Sequence, residues 1–194
     1  MTTELAADPI DEFSWAGKSL TAILQVVKAI GDDELYRPTP CRDWDVATLA
    51  DHLVDTIARL GAAAVGTPAE APGNGSIDQR IQRVTRPILA EWRRRGLAGD
   101  IEFAGRTLPA HLALGILNLE LVVHGWDFAI ALGSPLAVTD THASHVLNLA
   151  CQTLTTQSRI AAGFDAPVSV PADSGALDRL VALTGRDPQQ QNRR

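Results

Sequence analysis

A glutamate and a histidine lie four residues apart in the most apolar stretch of the chain, residues 112–132. Because four residues make about one helical turn, Glu120 and His124 are predicted to project from the same helix face, with Asp127 following at i+7. A carboxylate and an imidazole on a face that should be buried are costly unless something pairs them. A bound divalent metal would do so, and the spacing therefore predicts part of a metal site.

A third candidate ligand lies in a separate amphipathic segment, residues 46–60. His52 falls on the side of this segment that Leu49 and Leu53 mark as buried. Three nitrogen and oxygen donors from two helices, with a fourth position open, favour a reactive or ligand-accepting zinc-type site over a closed structural one. Nickel, iron and manganese accept similar donors, so the identity of the metal stays open.

Three more side chains are predicted to lie close to these ligands. Asp127 is expected to accept the outer N–H of a ligating imidazole and so fix its tautomer. A fourth metal ligand and a surface salt bridge are the alternatives for this carboxylate. Trp44 and Trp126 are expected to pack beside the site and line its pocket.

Each candidate ligand also has an interpretation without metal. A lone histidine on an apolar face is often a hydrogen-bonded core residue, and Glu120 could pair with Arg83 or another arginine. A metal-free helical protein with a satisfied polar core is therefore an open alternative. Of the other histidines, His111 is predicted to face away from Glu120. His142 and His145 fall in the first turn of a helix, where polar residues are usual.

The two cysteines are far apart and form no CxxC pair, which suits a reducing cytoplasm. Both are predicted to be structural free thiols, although Cys41 precedes the His52 segment and could approach the site. The N-terminus has no basic region followed by an apolar stretch, so no secretory signal is predicted. We expect a cytoplasmic protein.

Composition limits the class of protein and its partners. With 194 residues, 45% hydrophobic and 21% charged, the chain is expected to form a single globular domain over residues 1–194. A net charge of -6 argues against nucleic acid as a partner, because binding phosphates requires a basic surface. Polar residues interrupt the apolar stretch at 112–132, so it is a poor candidate for a membrane span.

Helical patterns dominate the rest of the chain. Helices are predicted at about 9–31, 45–61, 76–95, 109–133, 140–162 and 174–183, with a short hairpin at 100–108 and a polar tail from about 187. Thr139 and Ser174 are predicted N-caps, Ser76 and Gln79 fit a capping box, and Pro87 should kink or divide its helix. The four long helices suggest an all-α four-helix bundle, a scaffold that builds metal sites from facing helices.

Two of these stretches resemble the signatures of a known family. They run from Pro38 to Val54 (PTPCRDWDVATLADHLV) and from Glu120 to Asp127 (ELVVHGWD), and they are similar to the metal-binding domain of mycothiol-dependent maleylpyruvate isomerases, within the DinB-like group. Residues 171–188 resemble the tail of a stand-alone actinobacterial branch of that family. The resemblance covers nearly the whole chain and implies a DinB-like four-helix bundle.

The resemblance also implies a metal, usually zinc, held by His52, Glu120 and His124. In the characterised isomerases, mycothiol is thought to complete the metal site, where its thiolate would add to an activated substrate. The full isomerases carry a second, C-terminal domain, and too few residues follow the fifth predicted helix to form it. The signatures therefore predict the fold and the metal site, and they leave the reaction open.

The expected function is that of a cytoplasmic protein that binds a divalent metal and acts as a thiol-dependent transferase or isomerase. The alternative is a non-catalytic, metal-stabilised module for binding or stress response. Its expected partners are a small-molecule thiol or substrate, with neither nucleic acid nor membrane. DinB-like relatives often pair, so a homodimer is also open.

Overall fold

The computed structural model describes residues 11–41, 44–66, 73–161 and 164–189. These residues are mostly helical, with one antiparallel hairpin among them, which confirms the predicted all-α bundle with a small hairpin. The elements in chain order are α1 (Glu12–Val27), a 3-10 turn (Asp32–Glu34), α2 (Val46–Val65), α3 (Ile77–Arg95), β1 (Asp100–Phe103), β2 (Arg106–Pro109), α4 (Ala110–Leu132), α5 (Asp140–Thr153), α6 (Thr156–Ala161) and α7 (Ala176–Leu183).

Helix α4 lies at the centre of the molecule. It packs against α1 and α2 on one side and against α5 on another, while α3 closes the bundle against α1 and α2. By length and composition α4 could cross a membrane, and it is the one such helix in the described part of the chain. Its apolar window is 94% buried inside the bundle. A helix that is apolar all round is a core helix, and burial accounts for its composition.

The loop before helix α2 is closed by hydrogen bonds and positions the ring of Trp44. The side chain of Asp45 accepts a hydrogen bond from Thr48 N at 2.8 Å and so caps the helix, as its residue type predicts. The backbone N–H and the hydroxyl of Thr39 both donate to the carbonyl of Trp44, at 3.1 and 2.9 Å. Trp44 is therefore fixed next to the first turns of the helix that carries His52.

The hairpin between α3 and α4 has a two-residue turn. Ala104 and Gly105 have φ values of 52° and 73°, and strand pairing runs from Phe103 opposite Arg106 outward. Positive φ at both central residues is the geometry of a type I′ turn, whose twist matches that of paired strands. The predicted hairpin is confirmed, with its second strand extended to Pro109.

The predicted fifth helix is divided into two. Helix α5 ends at Thr153, and α6 begins at Thr156 after Leu154 leaves the helical region with ψ 87°. The backbone N–H of Thr155 donates to Ser158 Oγ at 2.8 Å, and Thr155 Oγ1 accepts from Ser158 N at 3.1 Å. These local side-chain bonds compete with helix continuation and start a new helix. Gly163, the predicted stop, lies outside the described residues.

Helix α3 begins and continues differently from the prediction. Ser76 is at the N-cap but forms no capping hydrogen bond, because its hydroxyl donates to the Asp78 carboxylate instead. The predicted capping box with Gln79 is therefore wrong. Pro87 lies inside the helix without dividing it.

The start of α7 is capped from another helix. The predicted cap by Ser174 is wrong: Gly175 occupies the N-cap, and the side chain of Asp140 accepts from Ala176 N at 2.9 Å. Asp140 is the first residue of α5, whose predicted cap by Thr139 is confirmed. The cap connects the starts of α5 and α7. Such a contact between two helices cannot be read from the local sequence of either one. Of the predicted tail, residues 190–194 lie outside the described part.

The first helix is shorter than the pattern predicted. Helix α1 runs from Glu12 to Val27, and Asp11 caps it by accepting from Ser14 N at 2.6 Å. Pro9, the predicted opening residue, lies outside the described residues. At the other end the chain leaves the helix before Gly31, the predicted stop.

Candidate metal centre

Two helices bring the three predicted ligands together inside the bundle. Glu120 Oε2, on α4, lies 3.1 Å from His124 Nε2 one turn later and 3.7 Å from His52 Nε2 on α2. One donor atom from each of the three residues lies within 4.8 Å of the other two. The helical spacing of Glu120 and His124 and the buried side of α2 therefore produce one cluster, as the sequence predicted. Its role as a metal site stays a prediction.

The cluster has the dimensions and chemistry that a divalent metal requires. Tetrahedral zinc with ligand bonds of about 2.0–2.1 Å separates its donors by roughly 3.3 Å. Glu120 Oε2 and His124 Nε2 are fully buried, and neither atom has a hydrogen-bond partner among the described residues. Leaving such atoms unsatisfied is costly, and one cation between them would satisfy both. Two imidazoles and a carboxylate also form the donor set of open zinc sites.

The carboxyl of Glu120 is strongly influenced by its two imidazole neighbours. Burial acts to raise its pKa, but His124 and His52 outweigh burial and hold the pKa at about 2. The carboxylate is therefore ionised, as a metal ligand must be. The alternative partner proposed from sequence, Arg83, points elsewhere and donates to the carbonyl of Asn74 at 3.2 Å.

Asp127 contacts the far side of the His124 ring. Its Oδ2 lies 2.9 Å from His124 Nδ1, and the residue is completely buried, so it is not a surface salt bridge. Burial acts to raise the pKa of Asp127, but the guanidinium of Arg186 and the imidazole of His124 outweigh it and lower the pKa below its usual value. An ionised carboxylate only accepts hydrogen bonds, so Nδ1 carries the proton. This is the contact that an orienting carboxylate would make.

Sequence reasoning missed Arg186, the second partner of Asp127. Its Nη2 donates to Asp127 Oδ2 at 2.8 Å and its Nε donates to Oδ1 at 3.2 Å. Arg186 is 4% exposed, although the sequence placed it beside a polar tail. A signal was available: Gly185 follows a short apolar helix, and a glycine at that position commonly ends a helix and turns the next residue back.

The two predicted tryptophans differ in their relation to the cluster. The Trp44 ring lies over His52, with 4.4 Å between ring centroids. Trp126 is completely buried in α4, and its indole N–H has no partner in the described part of the chain. Trp44 therefore forms one wall of the cluster, whereas the pocket-lining role of Trp126 stays a prediction.

The two cysteines occupy opposite environments. Cys41 is buried, and its sulfur lies within 4.8 Å of a ring nitrogen of His124 and a carboxylate oxygen of Asp127. Burial raises the pKa of Cys41 to about 12, so the thiol is neutral near pH 7. Cys151 is a free thiol, as predicted, but it is not part of the core. It lies on the exposed side of α5.

The remaining histidines lie away from the cluster. His111 is exposed, as its position on α4 predicts. His142 lies in the first turn of α5, as predicted, and it is buried, with Nε2 2.9 Å from Ser19 Oγ. The Trp15 ring stacks with both His142 and His145, at centroid distances of 4.9 and 5.1 Å.

The burial of His142 predicts a pH-dependent stability. Burial, followed by the charges of Lys18 and His145, lowers its pKa from 6.5 to about 4. Between these values the unfolded chain binds a proton that the folded chain does not, so the free energy of unfolding should fall as pH is lowered from 6.5 to 4. Above pH 6.5 this contribution is absent.

Urea unfolding of the native protein and of His142→Gln across this range measures the effect. As the solution is acidified, the free energy of unfolding of the native protein should fall more than that of His142→Gln. His111→Gln, which removes an exposed histidine, is the control and should track the native protein. Parallel curves for all three proteins would contradict the assigned shift.

Comparisons with known proteins identify relatives of this region. Residues 16–129 match the model of the family described as "Mycothiol maleylpyruvate isomerase N-terminal domain", which covers more than half of the chain and includes all three candidate ligands. The uncharacterized proteins MT0763 and Rv0738, from two strains of Mycobacterium tuberculosis, are each 27% identical over 129 residues, or 65% of this chain and 68% of the relative. No solved structure matches significantly.

Proposed function

Because the chain belongs to the mycothiol maleylpyruvate isomerase N-terminal domain family, we propose that it binds a divalent metal and uses it to act on a small-molecule thiol. His52, Glu120 and His124 are the proposed ligands, and their donor set favours zinc. The observation that carries the proposal is the pair of buried, unpartnered atoms Glu120 Oε2 and His124 Nε2. Such a pair in a hydrophobic core is costly without a cation.

The surrounding residues would prepare the site for a ligand from solution. Asp127 would hold the Nδ1 proton of His124, so that Nε2, which faces Glu120, could give its lone pair to a metal. His52 is the donor with solvent exposure, its side chain being 20% exposed, against 5% for Glu120 and 1% for His124. A ligand would therefore approach from the His52 side, beside the Trp44 ring.

The thiol would come from outside the chain. A divalent cation in this site would lower the pKa of a bound thiol and so favour the nucleophilic thiolate. Cys41 is unsuited to that role because burial raises its pKa to about 12, and Cys151 lies on the surface of α5. The family description points to mycothiol, and a reducing cytoplasm would keep such a thiol available. The proposed reaction class is thiol-dependent transfer or isomerisation.

Calorimetric titration with mycothiol tests the proposal. We expect saturable binding to the zinc-loaded protein and a loss of at least about tenfold in affinity after zinc is removed, because the thiolate would lose its metal partner. S-methylated mycothiol is the matched control ligand, since it keeps the sugar but cannot form a thiolate. It should bind the loaded protein as weakly as mycothiol binds the metal-free protein.

Equal binding of mycothiol with and without zinc would contradict the proposed role of the metal. Zinc binding without thiol affinity would favour the alternative, a metal-stabilised module without turnover. The titration therefore separates the two functions that the cluster can serve.

A further inference from the structure

A buried arginine from the C-terminal part of the chain reaches the far side of the candidate metal centre. Arg186 forms a two-pronged contact with Asp127, and Asp127 in turn contacts His124 Nδ1 at 2.9 Å. The remaining terminal nitrogen, Nη1, donates to the carbonyl of Thr184 at 2.9 Å. The Phe164 ring lies under the guanidinium, 5.1 Å from Cζ to the ring centroid. The guanidinium is therefore fixed on several sides.

The end of α7 is built to hold Arg186 in this position. Gly185 N donates to the carbonyl of Ala182 at 3.0 Å, and Arg186 N donates to the carbonyl of Val181 at 3.0 Å. This pair of bonds, with Gly185 at φ 89°, is the Schellman ending of a helix. A side chain at residue 185 is excluded, because its Cβ would lie 2.4 Å from Cβ of Asp165.

We propose that Arg186 is a positioning residue for the metal centre. By holding both oxygens of Asp127, it fixes the carboxylate that accepts from His124 Nδ1, and it thereby keeps His124 Nε2 directed at Glu120. This inference rests on the proposed function, since a directed Nε2 matters only if that nitrogen binds a metal. Partners of this kind orient a ligating imidazole and set its tautomer.

The arrangement explains why a guanidinium is used here. Asp127 is completely buried, and a buried carboxylate with a single partner would be poorly compensated. The planar guanidinium fork of arginine donates to both carboxylate oxygens and so holds Asp127 in one position. The ring of His124, the other partner of Asp127, is thereby held in one orientation. Lysine would supply the charge without the fork. Arg186 lies outside residues 16–129 and Asp127 lies inside them, so this contact joins the matched region to the part of the chain beyond it.

Three variants test the proposal. Arg186→Met removes the charge and the fork, Arg186→Lys keeps the charge alone, and Arg179→Met is the matched control on the exposed side of α7. Two readouts are used: zinc affinity, by competition with a chromophoric chelator, and the tautomer of His124 in the metal-free protein, by long-range proton–nitrogen NMR of its imidazole. The second readout does not require metal, and a purely structural role of Arg186 would leave it unchanged.

We expect zinc affinity to fall by about 10- to 100-fold in Arg186→Met, by less in Arg186→Lys, and not at all in Arg179→Met. In the metal-free protein, Nδ1 of His124 should be protonated in the native chain, whereas tautomers without the Nδ1 proton should appear in Arg186→Met. An unchanged tautomer in Arg186→Met would overturn the proposal, as would equal loss of affinity in Arg186→Met and Arg179→Met.

Failure of the proposed function gives a different result. If the native protein does not bind zinc, the metal proposal fails, and the tautomer alone decides whether Arg186 positions His124. If Arg186→Met does not fold, Arg186→Lys decides by the same two readouts. A native tautomer and native zinc affinity in that variant would overturn the requirement for the fork.

Discussion

Replacing His124 with alanine is expected to abolish stoichiometric zinc binding and to destabilise the fold. The imidazole contacts Glu120 Oε2 at 3.1 Å through one nitrogen and Asp127 Oδ2 at 2.9 Å through the other. Its removal would therefore take a proposed ligand from the metal and a hydrogen-bond partner from the buried carboxylate of Asp127. Breaking a buried ionic contact costs about 3–5 kcal/mol. Metal analysis after dialysis and urea unfolding measure the two effects.

A second variant separates loss of the metal from loss of the fold. His52 is partly exposed, so His52→Ala should lose zinc while losing much less stability than His124→Ala. His111→Ala is the control on α4 itself, because His111 is exposed and distant from the cluster. It should keep both zinc and stability. Native zinc content in both His124→Ala and His52→Ala would exclude the proposed ligand set.

The candidate cluster was predictable because its parts follow local periodicity. Glu120 and His124 are one helical turn apart, so any continuous helix over these residues places them on one face. His52 lies on the buried side of α2, and the two helices pack against each other in the bundle. The pattern of apolar residues determines both which side of α2 is buried and that the two helices pack together. The three side chains could therefore be expected to lie together without knowledge of the distances between the helices.

Polar contacts between distant parts of the chain were not predictable in the same way. Asp127 and Arg186 are 59 positions apart, and Ser19 and His142 are 123 apart. Such contacts depend on how the chain folds back on itself, which periodicity does not encode. The break between α5 and α6 was not predicted for another reason. There the hydrogen bonds between Thr155 and Ser158 override an apolar pattern that continues past them.

Zinc is expected to stabilise the folded chain by several kcal/mol. A ligand that binds only the folded state adds about 4 kcal/mol when its free concentration is a thousand times its dissociation constant. The three donors come from two helices and lie within 4.8 Å only in the folded bundle, so the unfolded chain should bind zinc much more weakly. Urea unfolding with buffered free zinc, and after chelation, measures the difference.

Glu120→Gln provides the decisive comparison for this stabilisation. The substitution keeps the size of the side chain but removes the negative charge, so the zinc-dependent gain should largely disappear. Glu91→Gln on α3 is the control, because it removes a carboxylate whose visible partner is the surface residue Arg94. An equal gain from zinc in all three proteins would place the metal elsewhere. A gain restricted to the chains that keep Glu120 would mean that the buried carboxylate, costly by itself, is retained because a cation compensates it.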